Sequence, residues 1–218
     1  MPKLNWSEIN TVFLDMDGTL LDLHFDNHFW LDYVPQCYAK KYRLSFEQAY
    51  DLLMDKYKTI EGTINWYCID HWTEELGLDI ALLKQEVAHL IQLHPYVIEF
   101  LCWLKQQGKQ RVLVTNAHQK SLALKMQKTP LAEHLDIIIS AHDLALPKEQ
   151  VEFWDKLQNI YSYTPQSTLL IDDNLNALSS AQKYGIQHLL AIYKPDSKMG
   201  IKEVKDFQAI HSFQEIMY

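Results

Sequence analysis

Two aspartates separated by a single residue, Asp15 and Asp17, directly follow the apolar run Thr11–Leu14. A short apolar run of this kind predicts a buried strand, and residues two apart in a strand point to the same face. Ligands of open α/β sheets bind beyond the carboxyl ends of the strands, so both carboxylates are candidates for chemistry. They could act as nucleophile and general acid/base, or as hard oxygen ligands for Mg²⁺.

Other polar residues stand at comparable positions further along the chain. Thr115 and Asn116 follow a second apolar run, Asp172 and Asp173 follow a third, and Lys148 precedes a stretch of helical character. Each has a simpler explanation when taken alone: Asn116 could begin a helix, Lys148 could be a solvated charge and Asp172 could belong to a turn. Their repeated placement after apolar runs favours a shared functional site.

The elements that would position these residues follow a βα pattern. Gly108 and Gly185 stand where helices would end in a left-handed residue. Five short apolar runs predict strands, with helical stretches between most of them, at residues 11–14, 111–114, 136–140, 168–171 and 188–193. This alternation predicts an α/β fold with a parallel sheet covered by helices.

One segment, residues 24–94, breaks the alternation. It contains no convincing strand and is typical of about four amphipathic helices, one of which opens with a capping-box pattern at Ser45 and Gln48. Gly62 and Gly77 separate the later helices. We therefore predict a core formed by residues 1–23 and 95–218, and a helical cap domain formed by residues 24–94.

The composition of the 218 residues excludes several classes of protein. The formal net charge of −8 disfavours binding to nucleic acid or to a membrane surface, since both usually require a basic face. Three distant cysteines and the absence of a secretory signal predict reduced thiols in a soluble, cytoplasmic protein. The ten histidines show no HExxH or similar spacing, so the sequence predicts no zinc site.

The ordered polar positions resemble the four motifs of the haloacid dehalogenase-like hydrolase superfamily, in its phosphatase form. The first motif is similar to Asp-x-Asp-Gly-Thr-x-x-Asp at residues 15–22, the second ends in Thr115, the third contains Lys148, and the fourth ends in Asp172 and Asp173. Residues 25–30, 65–70, 116–118 and 194–197 resemble the branch of purine GMP/IMP 5′-nucleotidases. The resemblance covers nearly the whole chain.

The resemblance implies a Rossmann-like sheet in the order 5-4-1-2-3, with an inserted four-helix cap of the C1 type and the active site between the two. It implies that Asp15 attacks phosphorus, and that Asp17 protonates the leaving oxygen and then deprotonates water. It also implies phosphate contacts from Thr115 and Lys148, and substrate contacts from Asn116, Gly18 and Thr19. The implied cofactor, Mg²⁺, would be held by Asp15, the Asp17 backbone carbonyl and Asp172, with Asp173 close by.

The expected partner is a small phosphomonoester, with purine nucleoside monophosphates first. The alternatives are a phosphosugar or phosphoglycolate phosphatase, a phosphoglucomutase-like enzyme, and a catalytically idle phosphate-binding module. Asp17 disfavours a dehalogenase, because dehalogenases of the superfamily lack this second acid. A phosphonatase would need a cap lysine of lowered pKa, and none of the candidates stands in an apolar run that would lower it: Lys40, Lys41, Lys56, Lys58 and Lys84.

Aromatic residues of the predicted cap leave two interpretations open. They could stack on a purine base, as aromatic faces do with bases. Aromatic residues at helical spacing are more often part of a core. The residues concerned are Phe29, Trp30, Trp66, Tyr67 and Trp72.

Overall fold

The computed structural model of the protein describes residues 3–218. Its centre is a parallel sheet of six strands in the order β3-β2-β1-β4-β5-β6. The strands are β1 (Thr11–Leu14), β2 (Gln110–Thr115), β3 (Ile137–Ser140), β4 (Thr168–Ile171), β5 (His188–Ile192) and β6 (Ala209–Ile210). The α/β fold and the expected order of the first five strands are confirmed. The two-residue strand β6 extends the sheet beyond β5, and it is too short for a period-2 pattern to predict.

Helices cover both faces of the sheet, which explains why its strands are apolar throughout. On one face Phe13 of β1 stacks at 6.3 Å on Trp154, whose helix is α9 (Val151–Ile160). On the other face Val12 and Leu14 belong to the hydrophobic cluster that includes Phe100. Every residue of β1 is buried. The remaining core helices are α6 (Val97–Gln106), α7 (Gln119–Lys128), α8 (Leu131–His134) and α10 (Leu175–Tyr184).

The segment between β1 and α6 is helical. It contains α1 (His24–His28), a π-helical turn (Phe29–Tyr33), α2 (Val34–Tyr42), α3 (Phe46–Ile60), α4 (Ile69–Leu76) and α5 (Ile80–Glu86). The capping box that opens α3 forms as expected between Ser45 and Gln48. We use the word cap for residues 24–94, following the predicted boundary. None of the helices within residues 3–218 combines the length and the apolarity that a membrane crossing requires.

The two chain segments that lead into and out of the cap run side by side. Leu21 and Leu93 form an antiparallel bridge, the Asp22 N–H donates to the Gln92 carbonyl at 2.9 Å, and the His94 N–H donates to the Leu20 carbonyl at 2.9 Å. Both segments start from the edge of the sheet at which β1 ends. The cap helices are thereby attached directly above the carboxyl ends of the strands.

Candidate active site

The sheet register brings three motif residues to one edge. Leu14, the last residue of β1, pairs with Leu113 of β2 and with Ile171 of β4. Asp15 and Asp172 directly follow β1 and β4, and Thr115 is the last residue of β2, so the three residues are neighbours. They line a cavity of about 390 Å³ between the sheet and the cap.

Lys148 links two of these carboxylates. Its Nζ donates to Asp15 Oδ1 at 2.5 Å and to Asp172 Oδ2 at 2.7 Å, although it comes from the loop after β3. The Lys148 side chain is buried, and burial alone would lower its pKa. The two carboxylates more than offset that effect and raise the pKa of Lys148 above its ordinary value. The lysine therefore carries its charge at neutral pH and holds Asp15 in position.

Three carboxylates crowd the same small volume. Oxygens of Asp15, Asp172 and Asp173 lie within 4.8 Å of one another. Burial, reinforced by the neighbouring acids, raises the pKa of Asp15 and of Asp172 to about 6 and that of Asp173 to about 7. A cluster of hard oxygen donors with unfavourable charge repulsion fits a divalent cation such as Mg²⁺. The donor set therefore fits the implied cofactor, and Asp173 belongs to it.

Asp17 turns its side chain towards a different partner. Its Oδ1 accepts a 2.6 Å hydrogen bond from Lys125 of α7, and Lys125 also donates to Asp26 of α1 at 2.6 Å. Lys84 of α5 donates to the same Asp26 at 2.7 Å. Burial raises the pKa of Asp17 to about 6 despite Lys125, whereas the two lysines overcome burial and lower the pKa of Asp26 to about 2. An alternating chain of charges thus joins Asp17 to the cap.

This chain of charges was not predicted from the sequence, and the expectation that Lys84 keeps an ordinary pKa was wrong. The structure buries Lys84 with its Nζ over the Phe25 and Phe29 rings, at 4.8 and 4.5 Å from their centroids, and burial lowers its pKa. A lysine four residues after the buried Ile80 stands on the core-facing side of α5, and that spacing was the available signal. The carboxylate that Lys84 meets could not be read from the chain.

Gly18 and Thr19 lie behind Asp173 rather than along the cavity. Gly18 has φ +85°, and a Cβ built on it would lie 2.8 Å from Asp173 Cγ. The Thr19 hydroxyl accepts a hydrogen bond from the Asp173 N–H at 3.1 Å. Both residues position the acid cluster, and neither is among the residues that line the cavity.

Asn116 lines the cavity and is held by a residue that the sequence analysis did not identify. Glu149 accepts hydrogen bonds from Asn116 Nδ2 at 2.9 Å, from Asn174 Nδ2 at 2.8 Å and from the Tyr67 hydroxyl at 2.5 Å. Because Tyr67 belongs to the cap, Glu149 connects the cap to the edge of the sheet that carries Asp15 and Asp172. A charged residue next to Lys148 in sequence was the only signal for it.

The cap side of the cavity is largely aromatic. Trp30, Trp66 and Tyr67 line it and are half-buried. Trp72 also lines it but is buried, with its ring 4.9 Å from that of Tyr57, so it belongs to the core of the cap and to the cavity wall at once. Phe29 is also buried and does not line the cavity.

Comparisons with known proteins identify the family. The family model described as haloacid dehalogenase-like hydrolase matches residues 9–185. The chain is 38% identical over 215 residues to the GMP/IMP nucleotidase YrfG of Escherichia coli (strain K12), covering 99% of this chain and 97% of that protein. It is 22% identical to phosphoglycolate phosphatase 1 of Pseudomonas aeruginosa, covering 94% and 78% of the two chains.

A solved structure agrees with this assignment. The crystal structure of a HAD phosphatase from Thermococcus onnurineus superposes with a TM-score of 0.77 at 20% identity, over 95% of this chain and 96% of that one. At this identity the likeness concerns the fold. The family match and the 38% identical relative carry the assignment: the chain belongs to the haloacid dehalogenase-like hydrolases, among the phosphatases of that family.

Proposed function

We propose that the protein is a Mg²⁺-dependent phosphatase of purine 5′-mononucleotides, GMP and IMP, which acts through an aspartyl-phosphate on Asp15. One observation carries the proposal. A single cavity extends from the Asp15–Lys148–Asp172 cluster to the aromatic side chains of the cap. Such a cavity offers a phosphate site at one end and a surface for a base at the other. The 38% identity to a GMP/IMP nucleotidase supports the same substrate class.

The chemistry follows from the positions of the acids. An Asp15 oxygen attacks phosphorus, the bond from phosphorus to the ribose oxygen breaks, and Asp17 gives its proton to that oxygen. Asp17 then takes a proton from the attacking water, the bond from phosphorus to Asp15 breaks, and phosphate leaves. The pKa of about 6 at Asp17 suits a group that must both give and accept a proton near neutral pH.

The remaining residues hold charge and geometry. Lys148 holds Asp15 in position through a hydrogen bond and offsets the negative charge of the phosphate. Thr115, at the end of β2, lies close to the phosphate site. Asp15, Asp172 and Asp173, with the Asp17 backbone carbonyl, would hold the Mg²⁺. When bound, the cation offsets the repulsion between the carboxylate nucleophile and the phosphate dianion.

Tyr57 is the residue best placed to contact a purine. It lines the cavity, only 5% of it is exposed, and its buried hydroxyl has no hydrogen-bond partner within residues 3–218. A buried hydroxyl without a partner is costly, and an acceptor on a bound base would remove that cost. We expect this hydroxyl to donate to the purine.

The first experiment measures phosphate release with Mg²⁺ from GMP, IMP, ribose 5-phosphate and phosphoglycolate. Asp15→Asn removes the nucleophile, and Asp55→Asn, at an exposed site in α3, is the matched control. We expect release to favour GMP and IMP and to be lost only in Asp15→Asn. Release mainly from the sugar phosphate or from phosphoglycolate would reject the purine assignment, and no release from any substrate would favour the idle binding module.

A second experiment separates recognition of the base from catalysis. Tyr57→Phe keeps the ring and removes only the unpaired hydroxyl. One lost hydrogen bond is worth about 0.5–1.5 kcal/mol, so kcat/KM for GMP should fall about 2- to 13-fold. The value for ribose 5-phosphate should not change, and Tyr50→Phe, outside the cavity, should affect neither. An equal fall for both substrates would exclude base recognition by this hydroxyl.

A further inference from the structure

Three metal-ligating side chains meet at a place that the phosphatase chemistry does not use. Cys68 immediately precedes α4 of the cap, His118 immediately precedes α7 after β2, and His142 follows β3. Ligand atoms of all three lie within 4.8 Å of one another, and each side chain is half-buried. We call these residues the thiol–imidazole cluster. Its members are 50 and 24 positions apart, so a motif search based on close spacing does not detect it.

His142 has the local environment of a metal ligand. Its ring lies close to the backbone of Asn116, and its Nε2 is buried with no hydrogen-bond partner among residues 3–218. A buried imidazole nitrogen without a partner can offer its lone pair to a metal ion, as neutral histidine does in metal sites. Burial, followed by the nearby His118, lowers the pKa of His142, so the ring is neutral at pH 7.

The other two members are equally suited to a cation. Burial lowers the pKa of His118, which keeps its ring neutral. The exposed Asp70 carboxylate lies 3.7 Å from its Nε2 and is paired with Lys120 at 2.5 Å. The Cys68 sulfur accepts a hydrogen bond from the His71 N–H at the start of α4. Coordination through His118 Nε2 places the proton of the neutral ring on Nδ1. The 3.3 Å hydrogen bond that Nδ1 accepts from the Lys120 N–H is then lost.

We propose that the thiol–imidazole cluster binds a borderline-soft divalent cation of the Zn²⁺ type. Sulfur and imidazole nitrogen are ligands that Zn²⁺ prefers and that Mg²⁺ does not. Ligand distances of about 2.0–2.3 Å require the donor atoms, which lie within 4.8 Å of one another, to close to less than about 4 Å. Binding releases the Cys68 proton to solvent and leaves both rings uncharged.

A cation at this cluster would connect two parts of the chain. Cys68 belongs to the cap, whereas His118 and His142 follow neighbouring strands of the sheet. His118 also lines the active-site cavity. A bound ion would hold the cap against the sheet beside the entrance for substrate, and it would therefore slow turnover. This consequence rests on the proposed phosphatase function, whereas the binding itself does not.

The test uses Co²⁺ and Zn²⁺ with the full chain kept in excess Mg²⁺, which occupies the acid cluster. We expect Co²⁺ to give a visible band of tetrahedral cobalt and a near-ultraviolet thiolate-to-cobalt band, and one equivalent of Zn²⁺ to abolish both. Cys68→Ser keeps an acceptor for the start of α4, so the fold is preserved. It should remove the thiolate band and weaken Zn²⁺ binding by about 100-fold, since loss of an outer partner alone costs 10–100-fold.

The matched control is Cys37→Ser, which changes another half-buried cap thiol outside the cluster. It should leave the thiolate band and Zn²⁺ affinity unchanged, while His142→Gln should weaken binding as Cys68→Ser does. The proposal is overturned if the wild-type protein shows no thiolate band, or if Cys68→Ser retains it. Because the readout is spectroscopic and needs no substrate, its failure is distinguishable from failure of the proposed phosphatase activity.

Discussion

Substituting Asp173 by asparagine should make the metal-free protein more stable at alkaline pH. Among residues 3–218, Asp173 is the acid with the most perturbed pKa, about 7, and no residue there donates a close hydrogen bond to its carboxylate; Lys202 Nζ lies 3.6 Å away. Its ordinary pKa is 3.8. Because the folded protein holds the proton more tightly than the unfolded chain does, the stabilising contribution is complete below pH 3.8 and is lost as pH rises through 7.

The magnitude follows from the same two values. Each pKa unit corresponds to 1.36 kcal/mol, so the full loss is about 4 kcal/mol, and about 3 kcal/mol of it falls between pH 5 and pH 8. Asparagine at this position has no proton to lose in that range. Relative to Asp173→Asn, the wild-type protein should therefore lose about 3 kcal/mol more unfolding free energy over that interval.

Urea unfolding in the presence of EDTA at pH 5 and pH 8 measures this difference. Asp55→Asn, at an exposed position, should behave as the wild-type protein does. Mg²⁺ at 100 times its Kd should offset most of the difference at pH 8, because it would stabilise the wild-type protein by about 2.7 kcal/mol, whereas Asp173→Asn lacks one of the proposed ligands. The reasoning is refuted if Asp173→Asn shows the full wild-type loss between the two pH values.

Three other substitutions test single features of the site. Gly18→Ala should weaken Mg²⁺ binding, measured by calorimetry, because the added Cβ would meet Asp173. Gly108→Ala is the control: Gly108 has a similar φ of +69° but no atom within 4 Å of an added Cβ, so Mg²⁺ binding should not change. Lys125→Met should raise the pKa of Asp17 and move the alkaline limb of the kcat–pH profile upward; an unmoved limb would contradict this. Lys148→Met leaves two buried carboxylates unpaired, so chemical unfolding should show a loss of about 3–5 kcal/mol at pH 8, and a loss below 1 kcal/mol would contradict the pairing.

The catalytic edge of the sheet could be predicted because it depends on strand ends. Once β1 is flanked by β2 and β4 in a parallel sheet, the residues at and just beyond the carboxyl ends of these strands must be adjacent, whatever the cap does. Asp15, Thr115 and Asp172 meet for this reason, and Lys148 reaches them from the next loop. The strand order itself was predicted from the resemblance, because the apolar pattern of a strand does not indicate which strands lie next to it in the sheet.

The contacts across the cavity could not be predicted because they depend on how helices pack. Lys125 and Lys84 stand on different helices, and only the packed structure brings both to Asp26. Glu149 differs from an ordinary surface acid only through its three partners, one of which is Tyr67 of the cap. Spacing along one chain carries no information on such pairings.

The paired linkers that join the cap to the sheet constrain how the molecule can move. The Leu21–Leu93 bridge ties the segment that enters the cap to the segment that leaves it. A rotation of the cap relative to the sheet would therefore have its hinge axis at that bridge. Asp17 lies on the fixed side of this axis and Asp26 on the moving side, and Lys125 contacts both. A rotation of the cap therefore separates Lys125 from Asp26 while Lys125 stays beside Asp17. The electrostatic environment of Asp17 consequently changes with the cap angle.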